Sequence, residues 1–139
     1  MTAFVDTSVF LRRLLKQPGA FTDWSNWGIV AASELLRVET RRVLDRLRLQ
    51  RAFGDDELGE LSRLVQASFR ALEFVRIGRA VLSRAADPFP TAIGTLDAIH
   101  LSSALLWMEE KGGEMTFLTH DAQLTTAARA CGLEVRTIP

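Results

Sequence analysis

The sequence has very few of the residues that build disulfide frameworks and zinc sites. Its 139 residues include one cysteine, Cys131, and two histidines. A single cysteine excludes an internal disulfide framework and agrees with a reducing compartment. The histidines and the cysteine are also scattered, so the chain carries no zinc signature.

Long hydrophobic runs and a targeting pattern are missing as well. No stretch approaches the ~20 apolar residues that a membrane span requires. At the N-terminus the apolar residues precede the basic ones, the reverse of a signal peptide. The hydrophobic fraction of 47% and the charged fraction of 24% are those of an ordinary globular protein. We therefore expect a soluble cytoplasmic protein without membrane association, with residues 1–139 forming one domain.

Charge is balanced overall but distributed unevenly. The 17 basic and 17 acidic residues give no net charge, so no global field favours a polyanionic partner. Six arginines nevertheless fall between Arg37 and Arg51, a segment whose only acids are Glu39 and Asp45. Arginine forms bidentate contacts with phosphate, which makes the segment compatible with nucleic-acid contact. From this feature alone, a solvated helix face with ion pairs is the preferred interpretation.

Strand and helix patterns alternate along the chain. Strands are predicted at residues 3–6, 28–31, 74–77, 115–119 and 133–137. Helices are predicted at residues 8–16, 33–50, 78–86, 96–111 and 121–131, and a further helix follows a turn at residues 54–56 and runs to residue 72. In the second helix the expected core-facing stripe consists of Leu35, Leu36, Val38, Val43, Leu44 and Leu47. The alternation predicts an α/β fold with a mainly parallel sheet of about five strands and helices on both faces.

Four acids stand at positions where such a fold concentrates its chemistry. Asp6 and Asp121 each follow an apolar strand, so both are expected at the carboxyl edge of the sheet. Glu39 lies on the arginine-rich helix, and Asp97 lies at the start of a later one. Carboxylates brought close together repel unless a cation intervenes. An oxygen-only site suits Mg²⁺ or Mn²⁺, whereas zinc would recruit His or Cys.

A carboxylate-held divalent cation is well suited to phosphodiester hydrolysis, because it lowers the pKa of a bound water and stabilises the leaving oxygen. Each acid also has a structural interpretation. Asp121 fits a helix N-cap, Asp97 fits a first-turn acid that favours the helix dipole, and Glu39 fits a surface ion pair. Asp6 is the hardest to explain in this way, since an unpaired charge at a buried strand end is costly.

The motifs around these acids resemble those of the PIN-domain ribonucleases, most closely the VapC-type toxins of prokaryotic toxin–antitoxin pairs. The resemblance covers essentially the full chain. Four segments carry it, in the family's order: Phe4-Val5-Asp6-Thr7-Ser8, Ser33-Glu34-Leu35-Leu36-Arg37-Val38-Glu39, Leu96-Asp97-Ala98-Ile99-His100-Leu101 and Thr119-His120-Asp121. Each motif is weak alone, and the four together are specific.

The resemblance implies a PIN-like three-layer α/β sandwich that acts as an endoribonuclease dependent on Mg²⁺ or Mn²⁺ and inhibits translation by cleaving RNA. The catalytic, metal-binding acids would be Asp6, Glu39, Asp97 and Asp121. The supporting hydroxyls would be Ser8 and Thr119. Candidate RNA contacts are Arg12, Arg13 and Arg37, which a solvated surface explains equally well. The implied partner is a cognate VapB-like antitoxin, and the implied assembly is a homodimer or a toxin–antitoxin hetero-oligomer.

Two residues close to the motif acids need separate interpretation. Glu34 lies five residues before Glu39 and faces another side of the helix, so Glu39 is the expected ligand and Glu34 a first-turn acid. His100 shares a helix face with Asp97 and could orient a carboxylate. We interpret it instead as a histidine at the interface between helix and sheet.

Other functions remain as alternatives. A catalytically inactive PIN fold that binds protein or RNA partners would keep the same architecture. A receiver-like phosphoacceptor domain would need a lysine after a late strand, and the lysines are Lys16 and Lys111. A haloacid-dehalogenase-type phosphatase would need an aspartate two residues after the first, where this chain has Ser8.

Overall fold

Five parallel strands form the centre of the fold in the computed structural model, which describes residues 1–138. In chain order the strands are β1 (Thr2–Val5), β2 (Ile29–Ser33), β3 (Glu73–Val75), β4 (Met115–Thr119) and β5 (Glu134–Thr137). Their spatial order is β3-β2-β1-β4-β5, and every neighbouring pair is parallel. The predicted sheet is therefore confirmed, with β1 at its centre.

Within residues 1–138, six α-helices connect the strands, as the alternating pattern predicts. They are α1 (Thr7–Leu14), α2 (Leu35–Leu49), α3 (Asp55–Arg70), α4 (Arg79–Ala85), α5 (Thr95–Lys111) and α6 (Ala122–Ala130), with a short 3₁₀ turn at Trp24–Asn26. The longest of them, α5, ends at Gly112, whose φ of 68° lies in the left-handed region that favours glycine. Across the described residues, no helix combines the length and apolar character that membrane crossing demands.

Helices cover both faces of the sheet, because side chains of a strand alternate between its faces. On one face, Val5 and Leu118 pack among apolar residues of α1, α2 and α3. On the other, Phe4 and Phe117 stack at a centroid distance of 5.9 Å and pack against α5 and α6. The result is the expected three-layer α/β/α sandwich, in which both faces of the strands are buried.

Helix α2 differs from its predicted stripe at one position. Val38 is 59% exposed, whereas Leu36 and Thr40 are fully buried. Residues two apart in a helix point in nearly opposite directions. Burial of Leu36 and Thr40 therefore turns Val38 to solvent, and the prediction that Val38 faces the core was wrong. The polar Thr40 takes the buried position that an apolar stripe would not assign to it.

Candidate active site

The carboxyl ends of β1 and β4 bring the first and fourth acids to one edge of the sheet. Val5 pairs with Leu118 at the end of this parallel ladder. The backbone N–H of Asp6 extends the pairing by donating to the Leu118 carbonyl at 3.3 Å. Asp121 follows β4 by two residues. Their common location follows from the topology, since parallel neighbours end at the same edge.

Asp6 is held in place by three donors. It is 4% exposed, and its Oδ1 accepts hydrogen bonds from the Ser8 hydroxyl at 2.7 Å and the Val9 N–H at 3.1 Å. The bond from Val9 makes Asp6 the N-cap of α1. Its Oδ2 accepts a hydrogen bond from the Thr119 hydroxyl at 2.6 Å. The first acid is therefore fixed by β4 as well as by its own helix.

Glu39 reaches the same edge from α2. Its Oε1 accepts a hydrogen bond from the Thr7 hydroxyl at 2.7 Å and lies 2.5 Å from His100 Nε2. Thr7 and His100, whose Oγ1 and Nε2 are 3.3 Å apart, are both buried. This triangle joins α1, α2 and α5. Because both contacts end on Oε1, the second oxygen of Glu39 is left for another partner.

The surroundings of Glu39 favour its ionised form. Burial raises the pKa of Glu39, but hydrogen bonds from His100 and Thr7, with the charge of His100, outweigh burial and hold the pKa below its ordinary value. The side chain of His100 is buried, and its expected contact with the sheet stays a prediction. His100 also contacts Glu39 directly, which the sequence interpretation set aside.

Asp97 lies in the first turn of α5, where the charges of the other acids meet. Burial raises the pKa of Asp97 and the charge of Asp121 raises it further, while His100 lowers it and Asp6 and Glu39 add smaller upward effects. No hydrogen bond from the described residues holds its charge. The carboxylate of Asp97 is thus the least compensated of the four.

Asp121 is exposed and serves a structural purpose as well. Its Oδ1 accepts a hydrogen bond from the Leu124 N–H at 2.7 Å and so caps α6, while its own N–H donates to Thr119 Oγ1 at 3.0 Å. The N-cap interpretation of Asp121 is therefore correct, and it does not remove the residue from the cluster, because its charge acts on Asp97. Thr119 connects the first and fourth acids through one hydroxyl.

The donor set consists of carboxylate oxygens, which suits Mg²⁺ or Mn²⁺. Among residues 1–138, no group of three His, Cys, Asp or Glu side chains is arranged so that it could hold a metal ion. Mg²⁺ usually keeps several waters and binds through one or two protein carboxylates, whereas zinc takes three or four close protein ligands. An open arrangement of this kind fits a hydrated Mg²⁺. Both the binding of a cation and its identity stay predictions.

The three arginines that the sequence suggested as RNA contacts lie in different surroundings. Nη1 of Arg12 is 3.1 Å from Nδ1 of His120, next to the fourth motif. The guanidinium of Arg13 lies over Trp24, 4.7 Å from the ring centroid. That of Arg37 lies over Phe74 of β3, 4.1 Å from the ring centroid. These residues do not form one patch.

Thr7 is a site residue that the sequence interpretation missed, although it lies within the first motif. Thr7 directly follows Asp6, and the side chains of consecutive residues point in different directions. The contact between Thr7 and Glu39 therefore depends on how α1 packs beside α2. The one signal in the sequence is its position directly after the first acid. For His100, the signal is the i,i+3 spacing from Asp97.

Comparisons with known proteins agree with this fold. The family model described as "PIN domain" matches residues 3–130. A search of curated proteins found no match. VapBC2 from Rickettsia felis, bound to a DNA fragment from its promoter, is similar in structure, with a TM-score of 0.67, 13% identity and 100% coverage of both chains. A toxin–antitoxin complex from Klebsiella pneumoniae is similar with a TM-score of 0.67 and 14% identity, covering 97% of this chain and 96% of that one.

Proposed function

The chain belongs to the PIN domain family, and from this premise we propose that it is a metal-dependent endoribonuclease. The observation that carries the proposal is that β1, β4, α2 and α5 bring four acids to one edge of the sheet, where burial and neighbouring carboxylates raise the pKa of Asp97. A cation beside Asp97 would offset this repulsion, and a phosphate of the substrate would complete its coordination. Mg²⁺ or Mn²⁺ bound there would lower the pKa of a water and neutralise charge at the phosphodiester.

The protein's part is to hold the carboxylates in position. Asp6 is fixed by the donors Ser8, Val9 and Thr119, so its orientation does not have to be established when substrate binds. Thr7 and His100 hold Glu39 through Oε1, which leaves Oε2 free to face cation or water. A carboxylate oxygen of this kind can also accept the proton of the attacking water.

We further propose that this ribonuclease is the toxin of a toxin–antitoxin pair and acts in the cytoplasm. The proposal is supported by the two similar structures, which are described as VapBC2 and as a toxin–antitoxin complex. The partner would be a VapB-like antitoxin, and the assembly a homodimer or a hetero-oligomer with that antitoxin. Induced expression in a bacterial host should arrest growth, and the Asp97→Asn variant should not.

Cleavage of RNA tests the proposed activity directly. Purified protein is incubated with total cellular RNA in the presence of Mg²⁺, Mn²⁺ or EDTA, and the fragment ends are mapped. Discrete fragments are expected with a cation, and none with EDTA or with Asp97→Asn. The matched control is Asp56→Asn, which removes one exposed carboxylate in the first turn of α3, outside the site. Its cleavage should equal that of the wild type.

A second candidate function is a PIN fold that binds partners without catalysis. The lack of a preformed three-ligand arrangement in residues 1–138 favours it. In this case neither Mg²⁺ nor Mn²⁺ would produce fragments from RNA, and neither cation would raise the melting temperature of the folded protein. The cleavage assay and a melting curve with each cation therefore separate the two functions.

A further inference from the structure

Two arginines of α2 lie against aromatic rings beside the edge strand β3. The guanidinium carbon of Arg37 is 4.1 Å from the ring centroid of Phe74 and 5.4 Å from that of Phe69. Arg41, one turn later, is 5.6 Å from the centroid of Phe69. The two rings meet edge to face at 5.7 Å and so form one aromatic platform. The adjoining cavity of about 290 Å³, which we call the arginine cleft, is lined by Arg37, Arg41, Gln66, Phe69 and Arg70.

In the arginine cleft, the guanidinium groups of Arg37 and Arg41 lie over aromatic rings, whereas Arg70 lines the cavity without a ring beneath it. Stacking on an aromatic ring uses the face of a guanidinium and leaves the N–H donors in its plane available. None of the ion pairs within residues 1–138 involves Arg37, Arg41 or Arg70, although two other arginines of α2 both pair with Asp45. Three like charges thus line one cavity, and within residues 1–138 none of them forms an ion pair.

We propose that the arginine cleft binds a phosphate group of the RNA backbone, a role that rests on the proposed ribonuclease function. Arginine recognises phosphate through paired, charge-assisted hydrogen bonds, and stacking on Phe69 and Phe74 orients the donors in advance. The four acids repel the same backbone unless a cation is bound. The cleft therefore supplies attraction that the site of cleavage lacks.

The position of the cleft relative to the acids fits a strand of RNA that spans both. Arg37 and Glu39 are two residues apart on α2, so their side chains leave the helix on different sides. The helix with its side chains is about 10 Å across, a distance that a few nucleotides cover. RNA crossing the first turns of α2 would place one phosphate in the cleft and another at the acids.

Binding of a labelled single-stranded oligouridylate tests this assignment. Fluorescence anisotropy is measured on the Asp97→Asn background with EDTA, so that neither cleavage nor a cation contributes. Arg37→Gln, Arg41→Gln and Arg70→Gln should each weaken binding roughly threefold to tenfold and reduce the slope of log K against log salt by about 0.7. The control Arg129→Gln loses the same charge from the exposed face of α6 and should change the affinity by less than about twofold.

Two further variants separate the geometry of the cleft from its charge and from folding. Arg37→Lys keeps the charge but loses the planar fork and part of the stacking, so its affinity should fall between those of wild type and Arg37→Gln. Arg70 is not stacked on the platform, so Arg70→Gln should melt at the wild-type temperature. Its loss of affinity could then not be attributed to unfolding.

The outcomes distinguish this proposal from the ribonuclease proposal. If the three glutamine variants bind like wild type while the otherwise unmodified enzyme cleaves RNA, the cleft proposal is wrong and the activity stands. If the variants lose affinity while no cation supports cleavage, the cleft stands as an RNA-binding surface and the activity is wrong. If the protein binds polyglutamate but not oligouridylate, the cleft accepts acidic protein segments and this proposal is overturned.

Discussion

Replacing Asp97 by asparagine should stabilise the protein in the absence of a cation, although it removes a proposed catalytic residue. Burial and the neighbouring charges of Asp121, Asp6 and Glu39 raise the pKa of Asp97, so its ionised form opposes folding. Asparagine has a similar shape and carries no charge. The substitution therefore removes the repulsion and keeps the packing of the first turn of α5.

The size of this effect follows from the number of charges and their exposure. Each partly solvated pair of like charges costs about 0.3 kcal/mol. Three such neighbours, partly offset by His100, give about 0.5–1 kcal/mol. For 139 residues at about 2.1 cal/mol/K per residue, the unfolding entropy is about 0.29 kcal/mol/K. The expected rise in melting temperature is thus about 2–3 °C at neutral pH.

The rise in melting temperature caused by Asp97→Asn should depend on pH and on Mg²⁺. Because the pKa of Asp97 is raised in the folded state, the wild type loses stability as the pH rises through this pKa. The higher melting temperature of Asp97→Asn should therefore appear as the pH rises through this pKa, and it should vanish below the ordinary aspartate pKa of about 4. In the wild type, Mg²⁺ at about ten times its Kd should add about 1.4 kcal/mol, or about 5 °C. The variant should respond far less.

Differential scanning fluorimetry with EDTA or with increasing MgCl₂ measures both effects. The control Asp45→Asn removes an acid whose pKa is held low by hydrogen bonds from Arg48 and, more weakly, Arg42. It should therefore not raise the melting temperature, and its response to Mg²⁺ should equal that of the wild type. A lower melting temperature for Asp97→Asn, together with a wild type insensitive to Mg²⁺, would refute the reasoning.

Two further substitutions probe the hydroxyl groups that hold the acids. Thr119→Val removes the donor to Oδ2 of the buried Asp6 and should lower the free energy of unfolding in urea by about 1–3 kcal/mol. Thr126→Val, whose hydroxyl bonds only to its own exposed helix, should lower it by less than about 0.5 kcal/mol, and equal losses would contradict this. Thr7→Val removes a hydrogen-bond donor to Glu39, whose pKa is held low. The free energy of unfolding should therefore fall by about 1 kcal/mol above pH ~4, and this loss should shrink as the pH falls through the lowered pKa of Glu39. If the difference in unfolding free energy between the wild type and Thr7→Val does not change with pH, the hydrogen bond to ionised Glu39 is not its cause.

The placement of two of the acids could be predicted because a parallel sheet has one carboxyl edge. The apolar runs before Asp6 and Asp121 are long enough to identify β1 and β4, and no knowledge of packing is needed to place both acids there. The topology of the sheet does not predict where Glu39 lies, because Glu39 is on a helix. Its location at the site depends on the rotation of α2, which also turned Val38 to solvent against the prediction.

Contacts between distant parts of the chain were beyond prediction. The pair of Glu39 and His100 is separated by 61 residues, and the spacing within either helix says nothing about the angle at which α2 and α5 pack. The stacking of Arg37 on Phe74 has the same origin, because it joins a helix to an edge strand. A single sequence identifies which residues carry chemistry more readily than which of them meet.

The central position of β1 also determines when, during synthesis, the acids can come together. The hydrogen bond between Thr119 and Asp6 spans 113 residues, so the strand synthesised first must wait for β4 before its acid is fixed. Ribosomes add about 5–20 residues per second, and the roughly 80 residues between Glu39 and Asp121 therefore take about 4–16 s. Pairing of such distant strands is also slow to nucleate. Until β4 has been synthesised, the nascent chain therefore cannot fix Asp6 through Thr119 or bring the four acids together at one edge of the sheet.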